Sequence, residues 1–197
     1  MERLNISVLL VEDDKISRVL YSNFLKKIVK KVILAEHGIE GIELYKSHQP
    51  DLIISDIKMP RMDGLEMIHE IRKTDDSIKV VFVSGHRDTD YFIKSIELGV
   101  SGYLLKPIDQ NKLNKIIQDV GKTLILDKKV KETEKRFRDL AELLPEIVFE
   151  TDLNGKLTFV NKRALEILGY SATDIEEGLN LHKVILPELE AIDKIDG

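Results

Sequence analysis

Short apolar runs alternate with amphipathic stretches from the N-terminus to about residue 120. The runs at 6–11, 32–35, 52–55, 80–83 and 102–105 are short, aliphatic and rich in β-branched residues, the pattern of strands buried on both faces. Between them, apolar residues recur every three or four positions at 15–29, 38–47, 64–73, 89–98 and 110–120, which predicts helices. Beyond Gly121 the texture changes. Residues 122–144 contain no Gly or Pro, and charges of both signs are interspersed. Thr123, Leu126, Val130, Thr133, Phe137, Leu140 and Leu144 follow in alternating steps of three and four. That spacing is a short heptad seam, weakened by its two threonines; a single amphipathic helix folded onto its own domain is the other reading.

Pro145 stops this helix, and 147–151 and 156–160 then alternate as strands about Asp152-Leu153-Asn154-Gly155, whose Asn-Gly step predicts a hairpin. Asn161 is placed to cap a helix reaching Leu168, with Gly169 as its stop, and Ser171 with Asp174 forms a capping-box start for another. The rest, to Gly197, is acidic, and no closing strand is predicted. Five strand–helix units followed by this tail predict an α/β chain: a flavodoxin-like, doubly wound, five-stranded parallel sheet over 1–121, a helical or coiled-coil linker over 122–144, and an incomplete α+β segment over 145–197.

Composition narrows the function. With 43% hydrophobic residues the chain can bury a core, and with no Cys it has no disulfide, thiolate metal site or cysteine nucleophile. No apolar run approaches the ~20 residues that span a bilayer, and no signal peptide is evident, so a cytoplasmic location without membrane contact is expected. A net charge of −5 and the lack of a basic recognition helix argue against direct nucleic-acid binding.

The predicted topology carries chemistry to one place. Glu12, Asp13 and Asp14 follow the first strand, Asp56 ends the third, Ser84 the fourth and Lys106 the fifth. In a doubly wound sheet these carboxyl ends share one edge, where ligands bind. Converging carboxylates repel unless a cation lies between them, and hard oxygen ligands at a phosphate site suit Mg²⁺. A carboxylate there can act as a nucleophile toward phosphorus, with Lys106 and Ser84 neutralising and positioning the transferred group.

The stretches VLLVEDDKISR, DLIISDIKMPRMDGLEMI, VVFVSGH and GVSGYLLKPI resemble the receiver domain of two-component response regulators. The resemblance implies that Asp56 is the phosphoacceptor, that Asp13 binds Mg²⁺ directly and Glu12 mainly through water, and that the Lys58 carbonyl completes the protein ligands. It implies a cap role for Asp14, a switch made of Ser84 and Tyr103, Lys106 as the basic partner of the phosphoryl group, and a cis bond at Pro107. Lys58 and His86 fall where receivers modulate phosphoryl lifetime, with shielding expected from both. The implied partner is a histidine kinase or phosphotransfer protein, and no organic cofactor is called for. The stretch from Phe137 to Leu189 resembles the start of a PAS sensory domain. Together the two resemblances imply part of a longer signalling protein, a hybrid histidine kinase or a multi-domain regulator, dimerising through the linker helix and holding no separate catalytic domain in this stretch.

Rival readings leave marks that the sequence lacks. An aspartate-nucleophile phosphatase needs an acid two residues after its nucleophile, where Lys58 stands. A flavodoxin-type cofactor binder needs a Ser/Thr/Gly-rich first loop, where Glu12-Asp13-Asp14 would repel a phosphate. A phosphorylation-independent scaffold or dimerisation module remains as an alternative. His69-Glu70-Ile71-Arg72 imitates a kinase phosphoacceptor box but continues Lys-Thr-Asp inside a helix, so an exposed structural histidine is expected there.

Overall fold

The computed structural model describes residues 3–85 and 89–182. It divides into two compact units, one reaching Lys128 and the other starting at Lys129. The first holds β1 (Leu4–Val11), α1 (Lys15–Ile28), β2 (Val29–Ala35), α2 (Gly38–His48), β3 (Leu52–Asp56), α3 (Gly64–Arg72), β4 (Lys79–Ser84), α4 (Thr89–Glu97) and β5 (Gly102–Leu105). Its sheet is wholly parallel in the order β2-β1-β3-β4-β5. Strand period two sorts the apolar side chains to two faces. Leu9, Val11, Ile53 and Phe82 join Tyr45 of α2 and Met67 and Ile68 of α3 in one core, with Tyr91 and Leu98 packed against it. Val8, Leu10, Ile54 and Val81 join Leu25 of α1 and Leu113 and Ile117 of the last helix in the other. With both faces covered, the strands read as continuous apolar runs rather than alternating ones.

That last helix, α5 (Gln110–Glu142), runs without interruption into the second unit. The sequence predicts that contact with the sheet ends at Gly121. Instead Leu124 and Ile125 still pack on the core, and Lys128 forms an ion pair with Asp51 at 2.6 Å. Gly121 is a point of close approach: a Cβ there would meet Leu4 Cδ1 at 2.7 Å. The seam positions Leu126, Val130, Phe137, Leu140 and Leu144 are exposed. Thr123 and Thr133 return their hydroxyls to the carbonyls of Asp119 and Lys129.

In the second unit, β6 (Phe149–Thr151) and β7 (Leu157–Val160) form an antiparallel hairpin. Asp152 Oδ1 accepts from the N–H groups of Asn154 (2.8 Å) and Lys156 (2.9 Å), and Gly155 supplies the left-handed turn residue at φ 77°. Asn161 caps α6 (Lys162–Leu168), Gly169 ends it, and Ser171 with Asp174 forms the expected capping box on α7 (Ala172–Glu176). Lys156 also forms an isolated antiparallel bridge with Asn180, and Leu157 N–H donates to Leu179 O at 2.9 Å, a contact that the pattern did not predict. The expectation of an acidic tail without a closing strand falls from 183 onward outside the described residues.

Candidate functional site

Strand register assembles the site. Val11 pairs with Ser55, Asp56 with Val83 and Ser84 with Leu105, so residues 12, 56, 84 and 106 emerge together at the carboxyl edge. Backbone bonds then fix the loops that leave the strands: Glu12 N–H to Ala35 O (3.1 Å), Ile57 N–H to Val83 O (3.2 Å) and Lys106 N–H to Ser84 O (2.7 Å). The Lys106–Pro107 bond is cis.

Carboxylate oxygens of Glu12, Asp13 and Asp56 all lie within 4.8 Å of one another. Glu12 is 1% exposed and Asp56 8%, whereas Asp13 is open to solvent. Lys106 Nζ lies 2.5 Å from Asp56 Oδ2 and 2.7 Å from Glu12 Oε2. Three carboxylates facing one ammonium leave two negative charges uncompensated, a donor set of hard oxygens that fits Mg²⁺. Burial raises the Glu12 carboxyl above its ordinary range, aided by the charge of Asp56, and Lys106 only partly offsets this. For Lys106 the balance is reversed: burial favours the neutral amine, but the two carboxylates outweigh it and hold the charge on.

The supports around Asp56 are local. Lys58 N–H lies 3.3 Å from Asp56 Oδ1, and Ser55 Oγ donates to the Asp56 carbonyl at 2.7 Å. Gly64 N–H donates to Ile57 O at 2.8 Å, folding the loop back so tightly that a Cβ on Gly64 would collide with the Asp56 carbonyl oxygen. Asp63 and Glu66 close a capping box there and fix where α3 starts. Asp14 caps α1 through Ser17 N–H at 2.8 Å and stays outside the cluster, as expected.

Ser84 is buried at the end of β4. Tyr103 is half-buried on β5, edge-on to Phe92 of α4 with ring centroids 5.4 Å apart. Lys58 aims its ammonium at the ring of Tyr91, 5.0 Å from the centroid. His86 lies outside the described residues. His69 is exposed on α3 and belongs to no acidic cluster among the described residues. One contributor escaped the sequence reading. Arg18 donates to the carbonyls of Glu12 (2.6 Å) and Asp13 (3.2 Å) while paired with Glu36 at 2.6 Å, and so holds the acidic loop by its backbone. The available signal was its place on the first turn after the Asp14 cap, from which a long donor side chain can reach back.

Comparison with known proteins identifies the family to which this fold belongs. Residues 8–118 match the family model of the response regulator receiver domain, and 135–196 match a PAS domain model. The regulator of RpoS from Escherichia coli is 34% identical over 133 residues, covering 67% of this chain and 40% of that protein, so the chain spans well under half of that relative. The chemotaxis protein CheY of Halobacterium salinarum is 33% identical over 57% of this chain and 94% of its own length. Among solved structures, the N-terminal domain of an uncharacterized protein from Wolinella succinogenes superposes with a TM-score of 0.59 at 37% identity, covering 62% of this chain and 98% of that one.

Proposed function

Because the chain belongs to the response regulator receiver family and continues into a PAS segment, we propose that it accepts a phosphoryl group on Asp56 from a histidine kinase or phosphotransfer protein and relays the event along α5. One observation carries this reading: the Asp56 carboxylate, nearly buried, touches Lys106 at 2.5 Å and lies within 4.8 Å of the carboxylates of Glu12 and Asp13. In the transfer, an Asp56 carboxylate oxygen attacks the phosphorus of a phosphohistidine. The P–N bond breaks, the imidazole leaves with the electron pair, and a mixed anhydride forms on Asp56. As the Asp56 carboxylate loses its charge to the new anhydride, Lys106 turns its N–H donors to the phosphoryl oxygens. Ser84, at the end of the neighbouring strand, donates its hydroxyl to another of them. Tyr103, on the neighbouring strand, then follows Ser84.

Glu12, Asp13, Asp56 and the Lys58 carbonyl would hold Mg²⁺. Such a cation would supply charge neutralisation as the phosphoryl group meets the carboxylates. Ile16, Val19 and Leu20 leave an exposed apolar stripe on α1 directly after the acidic loop, which supports docking of the donor beside Asp56. Among the described residues no helix is long and apolar enough to cross a membrane.

The test is incubation of the whole chain with acetyl phosphate and MgCl₂, read by intact mass. One phosphoryl adduct is expected, abolished by Asp56→Asn and strongly reduced by Asp13→Ala. An adduct of undiminished yield on Asp56→Asn refutes the assignment.

A further inference from the structure

Arg18 stands beside the acidic cluster without neutralising it. Among the described residues its ion pair is with Glu36, at 2.6 Å through Nη2, and not with Glu12, Asp13 or Asp56. Nη1 donates instead to the main-chain carbonyls of Glu12 and Asp13. With the Arg18 side chain only 11% exposed, these contacts are shielded from water. Glu36 is held in turn, its N–H donating to Glu40 Oε2 at 2.6 Å on the first turn of α2. Main-chain bonds reinforce the arrangement, from Glu12 N–H to Ala35 O and from Arg18 N–H to Asp14 O at 2.9 Å. Residues 12–14 are thus folded around one guanidinium, which ties the loop after β1 to the loop after β2. A guanidinium so close to carboxylates ordinarily pairs with one of them. Here Glu36 occupies its charge, and the rest of the fork fixes two consecutive peptide groups whose side chains, Glu12 and Asp13, would hold the cation.

We propose that Arg18 is a positioning residue for Mg²⁺: gripping the two carbonyls, it keeps the Glu12 and Asp13 carboxylates converged on Asp56, while Glu36 stops its charge from opposing the cation. This rests on the cluster binding Mg²⁺, as proposed above. Charge and geometry predict opposite signs for its removal. As a bare positive charge Arg18 repels a second cation, so deleting it would tighten Mg²⁺ binding, and Lys would serve as well as Arg. As a brace on the main chain, its deletion weakens binding even though the charge balance then favours the metal. Groups that orient metal ligands are worth about 10–100-fold in affinity, and a brace acting through the main chain belongs at the low end, about tenfold.

The experiment titrates the full chain with MgCl₂, without any phosphoryl donor, and follows backbone amide shifts, which also report whether each variant is folded. Wild type is compared with Arg18→Met, Arg18→Lys and the Arg18→Met/Glu36→Met pair. Arg18→Met should raise the Kd for Mg²⁺ about tenfold, and Arg18→Lys, which keeps the charge but reaches fewer acceptors, about threefold. The pair, which removes both charges together, should bind as weakly as Arg18→Met, since either loss undoes the same brace. Uptake from acetyl phosphate by Arg18→Met should be slow at limiting MgCl₂ and recover toward wild type at saturating MgCl₂. Arg18→Lys keeps the test open if Arg18→Met misfolds. Unchanged or tighter Mg²⁺ binding by Arg18→Met, or an Arg18→Lys that matches wild type, would overturn the role of Arg18 and leave the acceptor reading standing. A wild type that binds no Mg²⁺ would overturn the metal reading and the role of Arg18 with it, while Asp56 is judged separately by its own adduct.

Discussion

Replacing Asn161 by Ala should unfold the second unit while leaving the first intact. The side chain is fully buried and uses all four of its hydrogen-bonding positions. Nδ2 donates to the carbonyls of Ala141 at 3.0 Å and Glu146 at 2.9 Å, while Oδ1 accepts from the N–H groups of Val148 at 3.1 Å and Ala164 at 3.0 Å. One residue thereby ties the last turn of α5, the segment entering β6 and the first turn of α6. At about 0.5–1.5 kcal/mol net for each bond, losing four costs about 2–6 kcal/mol. A unit of this size holds roughly 5 kcal/mol in all. Asn161→Ser should be milder, because its hydroxyl still caps α6 and the cap alone is worth about 1 kcal/mol. Hydrogen exchange of the whole chain, read by mass spectrometry, checks this. Amides of β6, β7 and α6 should lose protection in Asn161→Ala, and those of β1, β3 and β4 should keep theirs. A loss below about 1 kcal/mol in the second unit would refute the additive reading of the four bonds.

Gly64→Ala must displace either the start of α3 or the Asp56 carbonyl, because the new Cβ meets the main chain and Ser55 Oγ at 2.9 Å. About 1–3 kcal/mol of lost stability in urea, together with slower uptake from acetyl phosphate, is expected. At Asp51, burial pushes the carboxyl up, but Lys128 and the Ser7 N–H and hydroxyl prevail and hold it below its ordinary range. A depressed carboxyl contributes stability above its unfolded value of about 3.9 and loses it as the pH falls through the folded value, so the deficit of Lys128→Ala should be present at neutral pH and vanish in acid. With half of the Lys128 side chain exposed, that deficit should stay under about 1 kcal/mol in urea melts at the two pH values. The exposed seam of α5 supports pairing with a second copy. Leu126→Glu with Val130→Glu should yield a monomer by sedimentation without loss of Asp56 phosphorylation. This pair avoids Phe137, whose ring meets Phe159 at 6.4 Å within its own unit.

What could be read from the sequence, and what could not, divides by the range of the interaction responsible. Val8–Val11 and Leu52–Ile54 announce strands because burial on both faces forces apolar side chains at every position, and nothing distant is needed to see it. The approach of Glu12, Asp56, Ser84 and Lys106 was legible for a topological reason: a parallel sheet sends all its carboxyl ends to one edge. The boundary at Gly121 was drawn where the composition changes, and only distant residues of β1, Leu4 and Ile6, show that glycine to be a point of contact. Asn161 was legible as a cap for α6, one bond of four; its bonds to Ala141, Glu146 and Val148 follow from how three segments meet. These two residues bear on the proposed relay. Lys106 directly follows the strand that leads toward α5, and Asn161 grips the carbonyl of Ala141 on the final turn of the same helix. The proposed relay requires that a shift at the Lys106 loop travel along α5 to the turn that Asn161 holds. A break engineered between those points, such as Val130→Pro, should therefore uncouple hydrogen-exchange changes in β6 and β7 from phosphorylation of Asp56 while leaving the phosphorylation itself unchanged. Changes that persist at β6 and β7 in that variant would show that the helix is not the path.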